Sequence, residues 1–168
     1  MAKQQYNQSR AKDREKEFEE QLVELKRVTR TVAGGKRLSF MAIVLIGDKK
    51  GRVGLGIAKA PDVATAINKA SQKAKKNIIN IPINEKGSVP HWLKAKFKAA
   101  EVLIRPAPEG HGITAGGAVR MVLELAGFRN ITAKMLGSQN KLNNLRATFK
   151  ALENIKKVDK INESKKEK

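Results

Sequence analysis

The sequence predicts an α+β protein built as two small domains, β-β-β-α followed by β-α-β-α. Three observations carry that prediction. Runs rich in β-branched residues alternate with Gly-centred turns through residues 21–58, whereas apolar residues recur at helical spacing from Val63, from Val119 and from Leu145. Between the two patterns lies Asn84-Glu-Lys-Gly-Ser-Val-Pro90, which has the composition of a linker. The chain has 168 residues, 40% of them hydrophobic, which is enough to bury a core.

Residues 1–20 carry five basic and five acidic side chains and little apolar surface, so a flexible N-terminal arm is expected there. The first domain is expected over 21–83. Val28 and Val32 alternate with Arg27, Thr29 and Thr31, the sign of a strand, and Ala33-Gly-Gly-Lys36 is a turn. A second strand follows from about Arg37 to Ile46, then the turn Asp48-Lys-Lys-Gly51 and a third strand over Arg52–Ala58. Gly54 and Gly56 fall on one face of that strand, which implies a neighbour lying close, either the next helix or a ligand. Pro61 suits a first helical position, and Val63, Ala66, Ile67, Ala70 and Ala74 form one apolar stripe. Lys69, Lys73 and Lys76 run beside it. A short strand over Ile78–Ile83 ends the domain.

After the linker at 84–90, the second domain is expected over 91–155. Trp92 to Arg105 reads as one strand, in which Leu93, Ala95, Phe97 and Ala99 alternate with Lys94, Lys96 and Lys98, giving a sheet with one wet, basic face. A Pro- and Gly-rich loop leads to Thr114 as the cap of a helix that ends at Ala126, with Gly127 as its C-cap. Asn130–Leu136 is a further strand, and a last helix runs from about Asn143 to Ile155. Residues 156–168 form a Lys/Glu tail, expected to be basic and disordered.

Charge narrows the function. The chain has 35 Lys+Arg against 16 Asp+Glu, a formal net charge of +19. Residues 21–77 hold thirteen of the cations and only three acids, so the excess sits on the strands and the first helix rather than in the tails. Such an excess calls for an anionic partner. Fixed cations on two turns and one helix face, namely Arg27, Lys36, Lys49, Lys50, Arg52, Lys59, Lys69, Lys73 and Lys76, are expected to form one surface against structured nucleic acid. With one Trp, one Tyr and five Phe, the chain is poorly equipped to stack on long single strands, which favours folded RNA.

Enzymatic chemistry is not visible. Gly110-His-Gly-Ile-Thr-Ala-Gly-Gly117 mimics a dinucleotide-binding loop, but Pro106 and Pro108 interrupt the strand-to-helix turn. Lys134 also stands where the ribose-binding carboxylate belongs. Close packing against another macromolecule is the better use for this loop. His91 and His111, the only histidines, have no metal-ligand spacing with acids, and there is no Cys, so neither metal nor cofactor is expected. The longest apolar run, Phe40–Ile46, is too short to span a bilayer, and the N-terminus has no signal-like apolar region. A cytoplasmic protein with no membrane role and no small-molecule substrate is expected.

The motifs resemble the small-subunit ribosomal protein S-five family. The resemblance runs through Gly47-Asp-Lys-Lys-Gly-Arg-Val-Gly-Leu-Gly-Ile-Ala-Lys59, Ala66-Ile-Asn-Lys-Ala70, Lys75-Lys-Asn77 and Glu109-Gly-His-Gly-Ile-Thr-Ala-Gly-Gly-Ala-Val-Arg120. It continues in Val122-Leu-Glu-Leu-Ala-Gly127, Ala133-Lys-Met-Leu-Gly-Ser138 and Arg146-Ala-Thr148. It implies a first domain similar to double-stranded-RNA-binding domains and a second of the S-five domain-two type, with a left-handed crossover. It implies a structural role in the small ribosomal subunit on 16S rRNA, beside the proteins numbered three, four and eight and near the mRNA entry channel, with an influence on decoding accuracy. By position it implies that Thr29, Arg30, Gly34, Gly35, Lys36 and Arg37 face rRNA. Gly112 and Arg120 fall where the family meets protein four, and Gly110, Gly116 and Gly117 belong to the same expected protein interface. Lys98 departs from the pattern, standing where family members often have Gly, and Lys49, Lys50 and Lys141 depart too. A free-standing RNA-binding regulator is the alternative, but it would have no need of a second, protein-docking domain.

Overall fold

In the computed structural model, residues 18–84 and 86–166 are described, with side-chain surroundings given as far as Ile155. Most of the expected N-terminal arm therefore lies outside the described residues, but Glu19 and Glu20 do not. They open β1 (Glu19–Val32), which pairs antiparallel with β2 (Gly35–Gly47). Then come β3 (Arg52–Ala60), α1 (Val63–Lys76) and β4 (Ile78–Asn80), and the first sheet has the order β1-β2-β3-β4. The second half has β5 (Leu93–Phe97), β6 (Ala100–Pro106), β7 (Ile113–Thr114), α2 (Gly117–Ala126), β8 (Ile131–Leu136) and α3 (Lys141–Lys166). Its sheet has the order β5-β6-β8-β7, with β7 parallel to β8.

Alternation along β2 assigns the two faces of the first sheet. Ala42, Val44 and Ile46 pack with Ala66, Ala70 and Ala74 of α1, while Ile43 and Leu45 point the other way. That other face meets α2, so Ile43, Leu45 and Val53 share one continuous core with Val122, Leu125, Ile104, Leu145 and Leu152 of the second half. Each large side chain so buried contributes about 1.5–3 kcal/mol. The layers run α1, first sheet, α2 with α3, second sheet, and among the described residues nothing covers the outer face of the last sheet.

A bulge in β1 decides which cations share a face. Leu22 pairs with Val44 and Glu24 with Ile43, so Val23 is the extra residue, and it turns into the shared core. Beyond the bulge the odd-numbered residues of β1 lie on the α1 side. One inserted residue exchanges the faces of everything that follows it.

Gly54 and Gly56 are small because of the following helix. A Cβ at Gly56 would run into the Ala70 carbonyl, and one at Gly54 into that of Ala74. The ligand alternative has no role there. Asp62 caps α1, accepting from the Thr65 N–H at 3.3 Å, so the helix starts at Val63 and Pro61 lies ahead of the cap rather than at the first helical position.

Four further expectations are corrected. Trp92–Arg105 is a hairpin rather than one strand, because the chain reverses at Lys98, whose φ is +53°. Thr114 lies in β7 and does not cap α2; the backbone of Gly116 takes the cap position with no side-chain hydrogen bond. The linker is packed rather than loose: Val89 is 2% exposed, and the Gly87 carbonyl accepts from the N–H groups of Arg129 and Asn130. Finally, α3 continues to Lys166, where disorder was expected from residue 156.

Candidate nucleic-acid interface

The first sheet is deep at one end and bare at the other. Strand β3 reaches along β2 only as far as Phe40, where Phe40 opposes Ala60. From Ser39 outwards, β1 and β2 have no third strand among the described residues, and the two-stranded finger carries exposed Val32 and Leu38 at its tip. An isolated two-stranded ribbon with little burial is marginal in water, so its sequence is free to answer to a partner.

Its register is unusual. Arg30 lies directly opposite Arg37, a like-charge pair that costs stability unless an anion sits beside it. Lys26 and Lys59 flank Met41 on that same face, and Lys26 forms an ion pair with Glu24 at 3.1 Å. Arg27 and Lys36 project to the opposite, α1 face, next to the partners Phe40 and Thr31. Thr29, Gly34 and Gly35 lie exposed between them, and Gly35, with φ of +145°, closes the tip. The finger thus offers cations on both faces, the geometry of an inserted probe rather than a flat pad.

The second basic turn does not join it. Gly35 and Gly47 bound β2, so the two turns lie about 40 Å apart at strand rise. The expected single surface is therefore corrected to separate ones. The Asp48–Gly51 turn is the seam between the two halves: the Lys49 N–H donates to the Leu125 carbonyl at 3.0 Å and the Gly51 N–H to that of Ala126 at 2.8 Å. Lys49 Nζ lies 2.5 Å from Glu19 Oε1. Arg52 Nε donates to Asp48 Oδ2 at 2.5 Å, and its guanidinium sits 4.9 Å from the Phe18 ring centre. Lys50 is exposed. Burial pushes the Asp48 carboxyl up, but hydrogen bonds from the Arg52 side chain and from the Lys50 and Arg52 N–H groups, with the Arg52 charge, outweigh it. The net result holds Asp48 below its ordinary value.

A further basic surface was missed by the sequence. Lys69, Lys73 and Lys76 are exposed on α1 as expected, and Lys73 lines an open cleft of about 910 Å³ between α1, β3 and α3. Arg146 and Lys150 of α3 stand across it, with Arg146 over the Phe97 ring at 5.3 Å. Residues more than seventy positions away in the chain supply these cations, and no local pattern could have paired them with Lys73.

The Gly-rich loop is held from below. Asn130 Oδ1 accepts from the N–H groups of Gly110, at 3.1 Å, and Gly112, at 3.4 Å, and its amide donates to the Lys86 carbonyl. Gly117 is exposed, Gly116 abuts Met135, and Arg120 pairs with Glu124 at 2.7 Å. Among the described residues no group of His, Asp and Glu could hold a metal ion, and no helix is long and apolar enough to cross a membrane.

Among the described residues a basic finger on a rigid sheet and a cationic cleft are the charged features, the surface of a protein built to meet a polyanion. Residues 18–82 match the family described as ribosomal protein S5, N-terminal domain, and residues 95–165 match ribosomal protein S5, C-terminal domain. Similar proteins include the small ribosomal subunit protein uS5c of Emiliania huxleyi, 48% identical over 86% of this chain and 91% of the relative. The small ribosomal subunit protein uS5 of Synechococcus elongatus is 46% identical over 91% of this chain and 85% of its own length. That of Mycoplasmopsis agalactiae is 47% identical over 94% of this chain and 68% of its own. The chain belongs to the ribosomal protein S5 family, a family of ribosomal structural proteins and not of enzymes.

Proposed function

We propose that the chain is a structural constituent of the small ribosomal subunit that docks on 16S rRNA through the β1–β2 finger. The Arg30–Arg37 pair carries this reading, because two like charges held in register cost the ribbon stability that a phosphate beside them would offset. Arg27 and Lys36 serve the second face of the finger, while Thr29 and the glycines at 34 and 35 let the backbone approach closely. Lys69, Lys73 and Lys76, with Arg146 and Lys150, form a second phosphate-facing surface. The seam cations Lys49, Lys50 and Arg52, and Lys59 on β3, supply long-range attraction to the same RNA. Subunit assembly, decoding accuracy and the mRNA entry region belong to the same proposal. The proteins numbered four, eight and three are its expected neighbours, with Gly112 and Arg120 facing protein four and Gly110, Gly116 and Gly117 part of a protein interface.

Binding of the purified chain to 16S rRNA should weaken steeply with salt, log K falling by roughly 0.7–0.9 per log unit of salt for each phosphate neutralised. Arg30→Ala and Lys36→Ala should each weaken binding for all RNA sequences alike and make that slope shallower. A flat salt response would end the proposal. Sedimentation of the chain away from small subunits at moderate salt would favour a free-standing regulator instead.

A further inference from the structure

The outer face of the second sheet is covered by nothing among the described residues, and the finger reading makes no use of it. Its residues follow from register. Lys94 opposes Leu103, which in turn opposes Lys134, and Lys96 opposes Glu101, which opposes Leu136. Arg105 opposes Thr132 in the third row. Trp92, just ahead of β5, joins this face: with Lys94, Leu103, Arg105 and Leu136 it lines a shallow hollow of about 740 Å³.

Two features say what the hollow would take. Its charge is one-sided. Glu101 is the one acid among these cross-strand rows, and Lys94 already neutralises it at 2.6 Å, whereas Lys96, Arg105 and Lys134 have no carboxylate within ion-pair distance among the described residues. Its aromatic is bare. Trp92, the single Trp of the chain, is 64% exposed, more than any other large hydrophobic side chain described. Arg105 lines the hollow with the indole, Lys96 adjoins the indole on its other side, and Lys134 lies opposite Leu103 on the same face, so the exposed ring is a stacking platform for a base with phosphate sites around it. Because there is one ring and not a row of them, the platform fits one base and not a run of single strand.

We propose that this sheet face is a second RNA site, which receives one unpaired base of a bulge or loop on Trp92 and the adjoining phosphates on Arg105, Lys134 and Lys96. The site rests on the RNA-docking reading above, yet it uses none of the finger's residues and is tested separately.

The only Trp reports on its own site. The intact chain is titrated with a short RNA duplex carrying one unpaired adenosine, with the same duplex fully paired, and with poly-glutamate. The bulged RNA should quench Trp fluorescence and bind about tenfold tighter than the paired duplex. Trp92→Ala should abolish that preference while leaving paired-duplex binding as it was, and Trp92→Phe should keep most of it. Arg105→Ala and Lys134→Ala should each lower the salt slope for the bulged RNA only. Equal affinity for the two duplexes, or a preference that survives Trp92→Ala, would overturn the site and leave the finger reading standing. Quenching by poly-glutamate and not by RNA would make the face a dock for an acidic protein, and so overturn it as well. Loss of all salt-dependent RNA binding would instead strike the finger reading.

Discussion

The two ends of β2 differ sharply, although the sequence dresses them alike. Each end has a glycine-containing turn with cations beside it, two in Gly34-Gly-Lys-Arg37 at one end and three in Lys49-Lys-Gly-Arg52 at the other. At the first, nothing lies within 4 Å of a side chain grown on Gly34 or Gly35. At the second, Gly51 is buried under the Ile81 carbonyl, and the turn is bonded to the end of α2. Among the described residues, one is a two-stranded ribbon with exposed cations on both faces, and the other is a joint between two halves of a core. Composition reports the presence of cations, and packing decides whether they are offered or consumed.

The comparison can be broken most forcefully at glycine. Gly127 has φ of +93°, and a Cβ there would collide with the Lys49 backbone carbonyl. Gly127→Ala should cost about 3 kcal/mol or more, seen as a lower urea midpoint at unchanged m value, whereas Gly34→Ala should stay within about 0.5 kcal/mol. Similar losses at both positions would mean that the seam is no tighter than the tip.

Asp48 tests the joint by a second route. Its carboxylate accepts from two N–H groups and the Arg52 guanidinium while only 3% exposed, so Asp48→Asn should destabilise at neutral pH by about 1–3 kcal/mol. Its folded pKa is lowered, so the carboxylate's contribution is fully present above its unfolded value near 3.8 and is lost as pH falls through the folded value. The stability gap between the native chain and the variant should therefore close on acidification below about pH 4, measured by urea unfolding across pH. A gap that persists there would show that charge is not what Asp48 contributes.

The finger should respond in the opposite sense. Arg30→Glu converts a like-charge pair into an ion pair with Arg37 and should gain about 0.2–1 kcal/mol of stability while RNA affinity falls. A loss of both would mean that Arg30 supports the fold. The smallest effect is expected at Lys98, whose φ of +53° costs a side chain about 1 kcal/mol; Lys98→Gly should recover part of it as a raised Tm, with RNA binding untouched.

Much of the fold was legible because its determinants are local. The stripe Val63, Ala66, Ile67, Ala70 and Ala74 placed α1, Gly127 stopped α2 in the left-handed region, and the apolar run Phe40–Ile46 marked the central strand. The hairpin at Lys98 stayed hidden because alternation of apolar residues with lysine runs unbroken through a two-residue turn. Thr114 was misplaced because a threonine suits a strand as well as a cap.

The sequence by itself determined that this chain is an α+β protein with a strong cationic excess and glycine-closed turns, since propensity, periodicity and charge are properties of short stretches. Only the tertiary structure decided which cations act together. The inserted Val23 chose the faces of the finger, the end of α2 took up the backbone of one basic loop, and the fold set Lys73 across a cleft from Arg146 and Lys150. Each depends on contacts between residues far apart in the chain, and their distances are set only when the whole core closes.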